Sequence, residues 1–198
     1  MTPPPSAAPE RLGELTLFAQ IDPGLRRILA LTGARLHQEL GCLPKATGGR
    51  SRRACVLASL TLRDLLIAAG HRAETIPCRL GIEHHDLNDE PIRQLMIGDP
   101  KETDWGGHWN GHMVVRIHGL IIDTTLGQAR RESWPSLPEM VALPERPQEP
   151  ITWLIDGDGR TQARWFPLHD TNWHRLPDAR QMRRRPAVKR LVRILQQG

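Results

Sequence analysis

The 198-residue chain holds only three cysteines, Cys42, Cys55 and Cys78. Their number is odd, no two form a CxxC, and no spacing pairs them. This argues against a disulfide framework and against a zinc ribbon. A reducing, cytoplasmic compartment is expected, with one of the thiols kept for its reactivity. No apolar run is long enough to cross a membrane: the most apolar stretch, CVLASLTLRDLLIAAG, is interrupted by Arg63 and Asp64. The first residues, MTPPPSAAPE, lack the basic and apolar regions of a signal peptide, so residues 1–10 read as a disordered leader. HExxH is missing too. His108 and His112 lie four apart, with His84 and His85 upstream, but a glycine-rich loop is a poor platform for zinc. The acidic stretches DLNDE and DGDG lack the spacing of a calcium loop. Neither a metal nor a cofactor is expected.

The apolar fraction of 39% and the charged fraction of 25% are those of a globular chain with a sizeable core. The net charge is +5, but the excess is concentrated in the last quarter, at Arg175, Arg180, Arg183, Arg184, Arg185, Lys189, Arg190 and Arg193. The expected organisation is a single domain over residues 11–177 and a basic C-terminal helix or tail over 178–198. In that tail Val188, Leu191, Val192 and Leu195 form a narrow apolar stripe. PGLRRILALTGARLHQELG reads as a helix, with Pro23 near its start and Gly41 past its end. A second helix is expected up to Ala69, stopped by Gly70. AETIPCRLGIE then reads as a strand, pushed by Pro77 toward an edge or a bulge. HHDLNDEPIRQ reads as a loop, and the proline-rich stretch from Ala129 to Pro150 as a long surface excursion. ITWLIDGDGRTQARWFPL reads as a hairpin with a tight turn at Asp156–Gly159. Helices first and antiparallel strands after point to an α+β fold.

Between these elements lies GHMVVRIHGLIIDTTLGQ, Gly111 to Gln128. With His118 and Gly119 as turn residues, Arg116 faces Ile121 and Val114 faces Asp123. Alternation then puts Met113, Val115, Ile117, Leu120 and Ile122 on one apolar face. His112 and Asp123 share the other face as diagonal neighbours, within reach of a hydrogen bond. An Asp that orients an imidazole supplies a base but no nucleophile. Cys55, at the start of the second helix, is the candidate. A helix N-terminus favours a thiolate and offers free N–H groups to an oxyanion, and Arg50, Arg52 and Arg53 add positive charge upstream. Taken singly, each residue has a plainer role: Cys55 as a small core residue, His112 as a strand end, Asp123 as the start of a turn at DTT. Their joint placement favours chemistry.

A Cys at a helix start, a His on a strand and an Asp on the next strand, in that order, resemble the transglutaminase-like branch of the papain-like cysteine enzymes. CVLASLTLRDLLIAAGHRAETIP resembles that family's nucleophile helix and the strand after it, and GHMVVRIHGLIIDTT its His and Asp strands. The likeness spans roughly residues 46–128. It implies a papain-like α+β fold, with the helix packed on an antiparallel sheet, and a Cys55–His112–Asp123 triad working through a covalent acyl-enzyme. The chain departs from the pattern at Met113, where an aromatic residue is common. It departs again in TGGRSRRA, which lacks the glutamine that papain has before its cysteine. Oxyanion and substrate contacts are expected instead from backbone N–H groups, Trp109, Asn110 or Gln128. Trp105 and Trp109 are candidates for lining a substrate groove.

The expected activity is that of a cysteine hydrolase or acyltransferase acting on a peptide or protein substrate, without a cofactor. Two alternatives remain open. One is thioester acyl transfer like that of the arylamine N-acetyltransferases, which share the residue order. The other is a non-catalytic papain-like module whose Arg-rich tail contacts nucleic acid or an acidic partner.

Overall fold

The computed structural model describes residues 9–41, 54–85, 88, 91–98, 111–130, 137–145, 151–154, 161–168 and 179–197. Strand β1 (Glu10–Leu12) turns at Gly13 and pairs with β2 (Leu15–Leu17). Leu12, Leu15 and Leu17 all point into the core. Helix α1 (Pro23–Glu39) follows. The side chain of Asp22 caps it, accepting from the Leu25 N–H at 3.0 Å, and Pro23 sits where a missing N–H costs nothing. Leu25, Ile28, Leu29, Leu36 and Leu40 form a buried stripe along it. Gly41, with φ of 64°, closes the helix. The helix lies close against the β1–β2 turn: a Cβ on Gly33 would fall 1.8 Å from the Leu12 carbonyl oxygen.

Helix α2 (Ala54–Ala68) is buried over most of its surface, and Gly70, at φ of 89°, ends it. The N–H groups of Gly70 and His71 return to the carbonyls of Ile67 and Leu66. The strands that follow are β3 (Glu74–His85), β4 (Pro91–Ile97), β5 (His112–Ile117), β6 (Leu120–Asp123), β7 (Met140–Pro144), β8 (Ile151–Leu154) and β9 (Thr161–Pro167). Among the described residues, the nine strands form one sheet in the order β1-β2-β7-β6-β5-β3-β9-β8, with β4 beside β3. Pairing is antiparallel except between β2 and β7. The chain is therefore α+β, with a mixed sheet.

Several expectations need correction. HHDLNDEPIRQ is largely not a loop: β3 runs through His85, and β4 takes up PIRQ. The stretch read as a surface excursion contains β7, whose Met140, Val141, Ala142 and Leu143 are fully buried between β6 and β2. Four apolar residues among prolines are too few to show a period, and the partners that bury them lie far away in sequence. Pro77 is not at an edge, since β3 has β5 on one side and β9 on the other. Its carbonyl accepts from the Leu168 N–H at 2.8 Å, at the end of the β9 ladder. N–H and C=O of one strand residue point the same way, so the missing donor falls past the last rung and costs β5 nothing. The hairpin β8–β9 pairs as expected, Ile151 opposite Trp165. Its turn at Asp156–Gly159 lies outside the described residues, as do residues 1–8.

The hairpin β5–β6 has the expected register, with Arg116 opposite Ile121 and Val115 opposite Ile122. His118 and Gly119 both have positive φ, 47° and 73°, as a two-residue type I′ turn requires. Both faces of the hairpin, not one, are covered. Val115, Ile117, Leu120 and Ile122 meet the helices. Val114 and Ile121 pack into a second core with Leu80, Leu126 and Trp165. Helix α3 (Ala179–Gln197) is no outlying tail either. Ala187 and Leu191 are fully buried, and Val192 and Leu195 pack on the core of α1 and α2. Arg184 pairs with Asp64 at 2.9 Å and Arg190 with Glu39.

Candidate functional site

Three elements meet where α2 begins. Cys55 is the second residue of α2, and its buried thiol points at the Gly111 carbonyl, with Sγ 3.8 Å from the oxygen. Gly111 directly precedes β5, whose first residue is His112. Asp123 is the last residue of β6. The register set by the His118–Gly119 turn makes His112 and Asp123 diagonal neighbours. His112 Nε2 lies 2.7 Å from Asp123 Oδ2, with the two side chains 3% and 0% exposed. An ionised carboxylate only accepts, so Nε2 carries the hydrogen and donates it. That leaves Nδ1 as the ring nitrogen available to the thiol.

Asp123 is held from further directions. The indole Nε1–H of Trp165, on β9, donates to the same Oδ2 at 2.9 Å. The backbone N–H of Thr125 donates to Oδ1 at 2.8 Å. A fully buried carboxylate is costly unless its lone pairs are met, and here both oxygens have donors. Burial alone would raise its pKa. The positive charge and hydrogen bond of His112, with the donors from Thr125 and Trp165, bring it below the ordinary 3.8. His112 moves the opposite way. Burial opposes the imidazolium, but the Asp123 charge and hydrogen bond, with a smaller contribution from Cys55, carry it from 6.5 up to about 10. The ring is therefore held charged between a carboxylate and a thiol.

The other two cysteines fare differently. Cys78 lies on β3 directly opposite His112 and is fully buried. Burial, then the charges of Asp123 and Cys55, push its thiol well above the ordinary value, which disqualifies it as a nucleophile. Cys42 lies outside the described residues. So do Trp105, Trp109 and Asn110 among the expected groove and oxyanion groups, the arginines at 50, 52 and 53, and His108. Gln128 is described: it sits half-buried on the short 3-10 helix Leu126–Ala129, and its N–H donates to the Thr125 carbonyl. Among the described residues no three potential metal ligands come together. His84, on β3, is hydrogen-bonded to Thr161. No helix among them is long and apolar enough to cross a membrane.

The bond of Trp165 to Asp123 was not read from the sequence. No local signal carried it, because β9 reaches the site only through its pairing with β3. Ser59 and His37 were missed as well. Ser59 Oγ donates to the Met113 carbonyl at 2.8 Å, and His37 Nε2 to the Thr124 carbonyl at 2.7 Å. Here a signal existed: each is a polar residue on a buried, mostly apolar helix face, and Ser59 is one turn from Cys55. Comparison of the chain with family models, with curated proteins and with solved structures gives no match.

Proposed function

We propose that this chain is a cysteine-nucleophile enzyme acting on acyl groups of the peptide or amide type, built in the manner of the transglutaminase-like and papain-like enzymes. The observation that carries the reading is the buried His112–Asp123 pair, 2.7 Å apart, with the Cys55 thiol at a helix start beside it. The Cys55 sulfur attacks a carbonyl carbon and gains an acyl group. His112, as the imidazolium, already carries the proton that the thiol gives up and passes it to the departing amine. Asp123 fixes the tautomer and tilt of the ring through Nε2. Water or a second amine, deprotonated by His112, then releases the acyl group, so hydrolysis and transfer share one intermediate. Acyl transfer from a thioester uses the same groups with a different leaving atom. The free N–H groups of the first turn of α2 and the candidates Trp109, Asn110 and Gln128 are where the oxyanion would be met.

The experiment is intact-mass analysis of the protein mixed with a panel of electrophilic peptides and activated esters. One acyl group per chain is expected, mapped to Cys55, absent from Cys55→Ala and strongly reduced in Asp123→Asn. Acylation spread over several thiols or lysines, or unchanged in Cys55→Ala, would sink the reading.

A second reading, contact with nucleic acid or an acidic partner, draws on one feature of α3. Arg184 and Arg190 are tied to Asp64 and Glu39, while Arg185, Lys189 and Arg193, four residues apart, are exposed on the outward side. It is compatible with catalysis, since the stripe and the triad are separate.

A further inference from the structure

We infer that His37 is a positioning residue for the Asp123 end of the site, acting through the backbone of Thr124; this rests on the cysteine-nucleophile reading. His37 projects from the buried side of α1, where its neighbours along the stripe are leucines and Gly33. Its Nε2 lies 2.7 Å from the Thr124 carbonyl oxygen, and its Nδ1 lies 3.1 Å from Glu14 Oε2. A carbonyl can only accept, so Nε2 donates.

The place of that bond gives it meaning. The β6 ladder to β7 ends at Asp123, so Thr124 is the first residue without a strand partner. It is nonetheless fully buried, and its carbonyl needs a donor that the sheet does not supply. His37 supplies it. The next N–H along the chain, that of Thr125, is the one that grips Asp123 Oδ1. Fixing the Thr124 carbonyl fixes the peptide plane it shares with that N–H, and hence the angle at which the carboxylate meets His112.

Ser59 completes the hold from the other side. Its single hydroxyl proton goes to the carbonyl of Met113, the residue after His112. Its oxygen can then accept from the Thr124 hydroxyl, 3.5 Å away. Ser59 is one turn along α2 from Cys55. Thus the residue after the histidine, the residue after the aspartate and the helix of the cysteine are joined at one point, and His37 ties that point to α1 and Glu14.

Two near-isosteric variants separate the bond from mere packing. The amide nitrogen of Gln occupies roughly the place of Nε2, and that of Asn the place of Nδ1. His37→Gln therefore keeps the donor to Thr124, and His37→Asn loses it. The readout is the rate of Cys55 alkylation by iodoacetamide against pH in the full chain, beside the thermal unfolding midpoint. His37→Asn is expected to slow alkylation at pH 7 roughly tenfold and to displace the pH profile, the scale of one lost positioned hydrogen bond. His37→Gln should stay within roughly twofold of wild type. If His37→Asn does not fold, His37→Leu replaces it as the variant without a donor. The inference is overturned if the donor-less variant keeps the wild-type profile, or if Gln and Asn depart from it equally, even where thermal midpoints fall. His112→Asn is run alongside: if it leaves the profile unchanged, the triad reading itself fails and this inference with it.

Discussion

Asp123 keeps a negative charge at full burial because three donors converge on it, and the largest consequence falls on His112. Unfolded, a histidine titrates near 6.5; in the fold this ring is carried to about 10. Between those values the folded chain keeps a proton that the unfolded chain gives up. The pair's contribution to stability is therefore complete below about pH 6.5 and fades as the pH rises toward 10. For Asp123, lowered below 3.8, the contribution is present above 3.8 and is lost as the pH falls through the folded value. Urea unfolding from pH 6 to 10 should show stability falling more steeply in wild type than in His112→Asn. The difference is at most about 1.4 kcal/mol per pH unit, the limit for one proton. Parallel curves for the two proteins would mean that His112 is not held charged by its neighbours. These residues were legible in the sequence because an HG turn fixes a two-residue hairpin, and the register follows from it. The third donor to the carboxylate, Trp165, was not legible, since nothing near it in sequence points to Asp123.

At the scale of elements, helix ends were readable and strand partners were not. Asp22–Pro23, Gly41 and Gly70 mark α1 and α2 by local chemistry alone. By contrast, β1, β2 and β7 owe their place to one another: Leu15 pairs with Met140 and Leu17 with Ala142, in a parallel ladder. Short apolar runs carry no period of their own. Helix α3 teaches the same point. Its arginines drew the eye to its outer face, but Ala187 and Leu191 face α1 and α2. Leu191→Ala should cost about 2–5 kcal/mol, as for other fully buried leucines, and a chain ending at Pro177 should aggregate or lose most of its thermal midpoint. Differential scanning calorimetry decides between this and an accessory tail, for which both proteins would melt within a few degrees of wild type.

For the whole molecule, the sheet and helices divide the labour. α2 brings a thiol, the β5–β6 hairpin brings a charged imidazole and its carboxylate, and β9 closes the second core behind them with Trp165. The α+β class was legible from α1 and α2 and the antiparallel strands after them, but β1 and β2, which precede α1 and bring a parallel ladder, were not. The curling of strands that buries both faces of the hairpin was not, because it depends on which distant strands become neighbours. The central claim is that Cys55 and His112 act as a unit. It is tested most directly by the rate of iodoacetamide labelling at pH 7, resolved to each cysteine by peptide mapping, in wild type and His112→Asn. A free thiol is only a few per cent ionised at that pH, so Cys55 should react roughly tenfold or more faster than Cys42 or Cys78, and lose that advantage in His112→Asn. Equal labelling of the three thiols, protection of Cys55 in the folded protein, or a rate unchanged by His112→Asn would contradict the account.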